Sequence, residues 1–450
     1  MGSLRAMLKL REYQEIAADF IYANDKTLIL AAVGAGKTCC ALTAIKELLC
    51  DKVVKRVLVL APKRVAAEVW PAEAALWARE LDIAISVGSP VKRRAAFDSK
   101  ASVVITNYDN IQTLPDLSGF DMIVYDELTK LKNSSGKRFK HLKKLIKHIE
   151  IRVGLTGSFT SNGLEDVYGQ VNIVHQELLG NTKSGFLAKY FVCINPGFGE
   201  YMPCKGSLAA VMAVIKPSTF LLDDGDYKDK LPPLHTVEVR CDLDDRAPYL
   251  KMKQDMVVEL KGEKITAMSA AAVTQKLQCG SSGFFYSSTV TASATPGKFK
   301  TTKIPVWFST HKFERLDELL QENQRANTLI FYNFVEELAE LKRRYPKAQT
   351  LDDKSAITRW NKGDIELLLA HPKSAQFGLN LQYGGSIVVF LSLPWSLIDF
   401  EQAYGRIHRS GQHHPVWVYV LLTKGTIDER IWASLHDKKS LSELAIEELK

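Results

Sequence analysis

The chain has 450 residues, of which 46% are hydrophobic and 24% charged, with a formal net charge of +8, a balance that fits a soluble globular protein of two or three domains. No run reaches the ~20 apolar residues needed to span a bilayer and the opening MGSLRAMLKLREYQ lacks a signal-peptide core, so no membrane partner and a cytoplasmic location are expected. Seven scattered cysteines without a C-x-x-C pair argue against a disulfide framework or a zinc site, and the basic balance admits a polyanionic partner without requiring one.

In chain order, residues 27–32 read as a buried strand and residues 39–49 as a helix, with AAVGAGKT (31–38) between them. Glycine-rich turns of this kind often hold nothing, but the strand before and the helix after are the setting that a phosphate loop needs. Gly34 and Gly36 can adopt backbone angles that aim N–H groups inward, and the helix N-terminus adds its positive end, which makes an anion cradle. Lys37 would reach the β- and γ-phosphates and the Thr38 hydroxyl would sit on magnesium. Ala31 stands where the general phosphate-loop spelling has its first glycine.

The apolar runs RVLVLAP (56–62), ASVVITNY (101–108), FDMIVYDE (120–127) and IRVGLTGS (151–158) are spelled like strands buried on both faces of a parallel sheet. Trp70 and Trp77, seven apart on an expected helix, read as core. Asp126 and Glu127 end the third run: Asp126 could hold magnesium through water, and Glu127 could orient and deprotonate an attacking water. In GKRFKHLKKLIKHIE (136–150), Leu142, Leu145, Ile146 and Ile149 form a helical apolar stripe opposite Lys143, Lys144 and Lys147, and the lysines read first as a solvated face.

Residues 160–300 change character and read as helical insertions and linkers, with helical stretches near 244–261 and 266–278 and a Ser/Thr/Lys-rich stretch at 287–303. A second strand series follows: TLIFYN (328–333), IELLLAHP (365–372), SIVVFLS (386–392) and VWVYVLLT (416–423). Within QAYGRIHRSGQ (402–412), Arg406 and Arg409 are three apart and would share one face of a helix, from which guanidinium groups could offset charge on a γ-phosphate. Beside them His408 reads as a nucleotide sensor or a packing residue. The expected fold is α/β: two tandem doubly wound parallel-sheet lobes, residues 1–160 and 305–450, with helical insertions at 161–304 and a nucleotide site in the cleft between lobes.

Taken together these motifs resemble superfamily 2 helicases, and within them the Swi/Snf-like DNA translocases with RecA-like lobes. LREYQ (10–14) resembles the Q motif, AAVGAGKT motif I, VLAPKRVAAEVW (59–70) motif Ia, DELT (126–129) motif II and LTGS (155–158) motif III. TLIFYNF, SAQFGLNLQ (374–382) and QAYGRIHRSGQ are similar to motifs IV, V and VI, and GTIDERIWASLHDKK to the C-terminal part of the second lobe. The resemblance implies that Gln14 contacts adenine; that Gly34, Ala35, Gly36, Lys37 and Thr38 bind the triphosphate of ATP; and that Thr38 and Asp126 serve magnesium. Glu127 serves the water, and Gly378, Asn380, Gln402, Arg406 and Arg409 complete the site from the second lobe. By motif position, Pro62, Lys63, Thr106, Asn107, Tyr108, Asn333, Ser374 and Trp395 would meet nucleic acid.

DELT stands where DEAH is common, motif III ends in GSF, and SLPWS before motif VI lacks the group's usual acid and asparagine. The implied activity is DNA-dependent ATP hydrolysis coupled to translocation on double-stranded or forked DNA. The resemblance further suggests a monomer of phage or bacterial origin, acting in the host cytoplasm if phage-encoded, with replication, recombination or repair proteins as partners. Two alternatives stay open: a strand-separating DNA helicase, and an ATP-gated nucleic-acid clamp without motor activity.

Overall fold

The computed structural model describes residues 9–31, 34–197, 199–222, 231–260, 263–266, 270–292, 299–353, 355–376, 379–409 and 411–449. They form two compact units, Met1–Lys230 with Lys438–Lys450, and Leu231–Asp437.

The first unit is built on strands β1 (Lys26–Leu30), β2 (Val57–Ala61), β3 (Ile83–Ser86), β4 (Val103–Asn107), β5 (Met122–Asp126) and β6 (Ile151–Thr156). A hairpin of β7 (Phe191–Asn195) and β8 (Glu200–Pro203) stands apart, and β9 (Thr219–Leu221) returns to the sheet, whose order is β3-β4-β2-β5-β6-β1-β9 with every pairing parallel. The strand pleat sends alternate residues to opposite faces. Leu28, Leu58, Leu60, Ile123 and Tyr125 enter one core, and Ile29, Val57, Val59, Met122 and Val124 the other. This two-sided burial is why the strands are spelled as unbroken apolar runs. The helices that position the site are α1 (Glu12–Ala23), α2 (Lys37–Cys50) and α3 (Trp70–Trp77).

The second unit has β10 (Leu234–Cys241), hairpins β11 (Val257–Leu260)/β12 (Glu263–Thr266) and β13 (Phe284–Ala292)/β14 (Phe299–Trp307), then β15 (Thr328–Phe331), β16 (Gln349–Thr350), β17 (Leu367–Ala370), β18 (Ile387–Phe390) and β19 (Val416–Thr423). Its six-stranded sheet runs β10-β19-β18-β15-β17-β16, again all parallel. Leu329, Phe331, Val388 and Phe390 pack on one face, and Ile330, Leu369, Val389 and Leu421 on the other.

The stretch expected as insertion and linker contributes more than helices. It supplies the edge strands β9 and β10 and three hairpins, and the Ser/Thr/Lys-rich run at 287–303 pairs as β13 and β14. Edge strands bury only one face well: β10 mixes half-buried and exposed positions with buried Val239 and Cys241, so it carries no continuous apolar signal. The end of the chain also departs from the expected lobe, since Ala445 and Leu449 pack in the core of the first unit and Ser442 Oγ lies 3.0 Å from Ser158 Oγ. Among the described residues, no helix is long and apolar enough to cross a membrane.

Candidate nucleotide and nucleic-acid site

The site in the first unit follows from sheet order. β5 and β1 are both neighbours of β6, so Asp126, at the end of β5 opposite Leu155, and Ala31, just past Leu30 opposite Thr156, sit two strands apart at the carboxyl edge, roughly 10 Å by strand spacing. In open parallel sheets this edge is where ligands bind.

Gly34 and Gly36 both have φ +89°, the left-handed region expected for the turn, and Gly36 caps α2. Side-chain bonds among the described residues hold the loop in shape. Lys37 Nζ donates to the Ala31 carbonyl at 2.7 Å. Cys39 Sγ donates to the Gly36 carbonyl at 2.9 Å. Gln14, buried on α1, receives the Arg11 N–H on Oε1 and donates through Nε2 to the Ala35 carbonyl at 3.2 Å. The Q-motif glutamine is thereby tied to the loop, and a Cβ on Gly36 would stand 2.2 Å from that Nε2.

Asp126 is buried, and its Oδ2 accepts the indole N–H of Trp70 at 2.8 Å. Burial pushes its pKa up to about 6, opposed by the Trp70 bond and the Lys37 ammonium and reinforced by Glu127. Tyr108 Oη donates to the Asp126 carbonyl at 2.7 Å, and its own deprotonation is disfavoured by burial and by both acids. Glu127 is half-buried at φ +61°, with Oε1 accepting from Thr129 Oγ1 at 3.0 Å.

The donor set fits magnesium: the Thr38 hydroxyl and the Asp126 carboxylate are hard oxygen ligands, too few to hold the ion without phosphate oxygens. Among the described residues there is no cluster of three or more His, Cys, Asp or Glu able to hold a metal.

Several residues expected at nucleic acid are placed otherwise. Thr106, Asn107 and Tyr108 are all buried: Thr106 Oγ1 donates to the Ser86 carbonyl, Asn107 bonds Asp109 and Asn110, and Tyr108 holds Asp126. Pro62 is half-buried and Lys63 exposed, at the start of a helical segment that passes through a π-turn, Val65–Val69, into α3. In the second unit, Asn333 Nδ2 donates to the Ser392 carbonyl at 2.9 Å, and Ser374 Oγ to the His371 carbonyl at 2.6 Å. Trp395 is 40% exposed with its indole N–H on Gln278 Oε1.

Arg406 and Arg409 do not lie on a helix. The helix Leu397–Tyr404 ends at Gly405, and tight turns follow, pinned by Leu381 N–H on the Arg406 carbonyl and Gln412 N–H on the Arg409 carbonyl. Glycine is a poor helix former, and the long-range bond from Leu381 and the local turn from Arg409 to Gln412 take the place of continuation. Arg406 is buried, Arg409 Nη1 donates to the Leu379 carbonyl at 3.3 Å, Gln402 is buried and Asn380 exposed. Gly378 lies outside the described residues. His408 packs through Nε2 on the Pro232 carbonyl at 2.8 Å.

Sequence reasoning missed Trp70. Read as plain core, it is fully buried but spends its polar atom on the acid of motif II. The available signal was general: a buried indole N–H needs an acceptor.

Two parallel-sheet units, with a glycine-turned lysine loop and an acid pair of buried Asp126 and half-buried Glu127 at the carboxyl edge of the first, define a nucleotide-binding protein of the helicase superfamily type. The SNF2-related domain model matches residues 13–277 and the helicase conserved C-terminal domain model residues 311–411, and the chain belongs to this Swi/Snf-like family of superfamily 2, whose members bind ATP and DNA. It is 33% identical to protein p41 of Acyrthosiphon pisum secondary endosymbiont phage 1, covering 98% of both chains. It is also similar to the "Uncharacterized ATP-dependent helicase YqhH" of Bacillus subtilis (strain 168), at 22% identity over 95% of this chain and 77% of that one. Among solved structures it is similar to the Sulfolobus solfataricus SWI2/SNF2 ATPase core in complex with dsDNA, with TM-score 0.47, 20% identity, and coverage of 99% of this chain and 95% of that one.

Proposed function

We propose that this protein is a DNA-dependent ATPase that couples hydrolysis of ATP to translocation along duplex DNA. The observation that carries the reading is the assembly at one sheet edge of the Gln14-tethered loop, Lys37 and the buried Asp126 beside Glu127. Membership of the SNF2-related family supports DNA as the polymer, and the near full-length likeness to a phage protein supports a phage or bacterial setting; replication, recombination or repair is the role proposed there.

In this reading the backbone N–H groups of residues 34–38 and the Lys37 ammonium bind the triphosphate, and Gln14 recognises adenine. Thr38 and Asp126 would hold magnesium, which supplies charge neutralisation on the phosphates when bound. Glu127 orients the attacking water and accepts its proton at the carboxylate. Arg406 and Arg409 offset the charge that develops on the transferred phosphoryl group. ATP would favour a closed arrangement of the two units and its loss an open one, driven only by the difference in ATP affinity between these states. The Pro62–Lys63 segment, Asn333, Ser374 and Trp395 are the proposed polymer contacts.

The test is phosphate release against single-stranded DNA, blunt duplex, forks and RNA, together with a strand-displacement assay. Strong stimulation by blunt duplex with little strand release is expected. Turnover indifferent to every nucleic acid refutes the proposal, and efficient displacement from a tailed duplex would make the protein a strand-separating helicase.

A further inference from the structure

The helical segment that begins at Lys63 does not run as a regular α-helix to Trp77, because residues Val65–Val69 form a π-turn before α3 starts at Trp70. A π-turn inserts one residue, which rotates everything after it by about 100° around the axis. Here the rotation delivers the Trp70 indole N–H to Asp126 Oδ2 at 2.8 Å, with Trp70 0% and Asp126 8% exposed. A second group grips the same residue from its backbone: Tyr108 Oη on the Asp126 carbonyl, both buried. A core tryptophan could satisfy its N–H on any backbone carbonyl. This one uses the side chain of a proposed metal ligand and sits two turns along the same helical segment from the exposed Lys63.

We propose that Trp70 is a positioning residue: it holds the Asp126 carboxylate in the orientation that a metal-bound nucleotide requires and carries the state of the Pro62–Lys63 segment to it. Oδ1 is left as the carboxylate oxygen that Trp70 does not engage, and movement of the segment on polymer binding would turn the indole and the carboxylate together. The inference rests on the function proposed above, in which Asp126 serves magnesium and residues 62–63 meet DNA.

The experiment uses the full chain with Trp70→Phe, which removes the donor but keeps a buried ring, and Tyr108→Phe, which removes a single oxygen. Binding of a fluorescent ATP analogue is measured in EDTA and across a magnesium titration, alongside duplex affinity and ATPase with and without duplex. For Trp70→Phe, analogue affinity in EDTA and duplex affinity should stay within about twofold of wild type, while half-saturating magnesium rises and duplex stimulation falls, each about tenfold, the size of a lost hydrogen bond to a charged group. Tyr108→Phe should shift the same two readouts by about threefold.

Wild-type magnesium dependence and stimulation in both variants would overturn the proposal. So would loss of analogue binding in EDTA by Trp70→Phe with Tyr108→Phe unchanged, since that marks a packing role. If wild type itself shows no duplex stimulation, the translocase reading falls, while the magnesium titration still reports separately on Trp70.

Discussion

Substituting Gly36 by alanine perturbs the loop at its tightest point. The residue has φ +89°, where an L-residue costs roughly 1–2 kcal/mol relative to glycine. The added Cβ would stand 2.2 Å from Gln14 Nε2 and 3.1 Å from Cys39 Sγ. The glutamine amide is the flexible end of a side chain and can move aside, which gives up its bond to the Ala35 carbonyl, about 1 kcal/mol. Together the loop should lose about 2–3 kcal/mol of its preference for the cradle shape, or roughly 30- to 150-fold in ATP affinity. Equilibrium binding of a fluorescent ATP analogue measures this, arranged as a double-mutant cycle with Gln14→Ala. Because the alanine methyl and the glutamine amide compete for one space, the double variant should lose less than the sum of the single losses, by about 1 kcal/mol. Wild-type affinity in Gly36→Ala, or strictly additive losses, would refute the account of Gln14 as the strut of the loop.

Glu127→Gln should keep ATP-analogue and DNA binding while phosphate release falls at least ~10²-fold, because the proposed metal ligands remain and the base is lost; filter binding beside a phosphate-release assay checks it. Arg409→Ala should lower kcat by about 10²–10³-fold with little change in ATP affinity, and a loss confined to affinity would contradict a transition-state role. In the second unit, Lys312 Nζ and Asp428 Oδ2 form a 2.7 Å ion pair with both side chains 1% exposed. Asp428→Asn strands the ammonium and should cost about 3–5 kcal/mol in urea unfolding, whereas the apolar pair Lys312→Met with Asp428→Leu should recover much of it.

What could be read in advance follows the physics of burial. Strands covered on both faces, such as β2 and β5, leave continuous apolar runs, so nine sheet strands (β1, β2, β4, β5, β6, β15, β17, β18 and β19) and the residues at their carboxyl ends were legible. Edge strands were not: β9 has three half-buried residues, and β10 mixes His235, Glu238 and Arg240 into its run. The hairpin of β13 and β14 is held by backbone pairing between serines, threonines and lysines, a composition equally suited to a linker. At the site, Gly36 and Lys37 announced themselves because only a left-handed turn and a long cation serve there. Trp70 did not, because its role depends on a π-turn and on a partner 56 residues away, neither of which leaves a local pattern. Thr106, Asn107 and Tyr108, expected at nucleic acid by motif position, are buried, and the bonds that their polar atoms make inside the unit leave no local pattern either.

The backbone of Glu127 bears on why this acid pair is shaped as it is. Among the described residues, Lys52, Glu127, Met256, Gln324 and Arg325 are the non-glycine residues with positive φ. Lys52, Met256, Gln324 and Arg325 all lie just past the ends of helices, where a left-handed residue closes the last turn at little net cost. Glu127 instead follows a strand, with φ 61° and ψ 60°, and opens a short 3-10 turn. A glycine would hold that angle without the penalty of roughly 1–2 kcal/mol, so the glutamate is retained against local preference. What the reversal accomplishes is geometric: two consecutive acids on an extended strand would point to opposite faces of the sheet. Breaking the strand after Asp126 frees Glu127 from that alternation, while Trp70 and Tyr108 keep Asp126 from following it. The strain at Glu127 and the grip on Asp126 are therefore two parts of one arrangement, and loosening either should separate the acid proposed to hold the metal from the acid proposed to handle the proton.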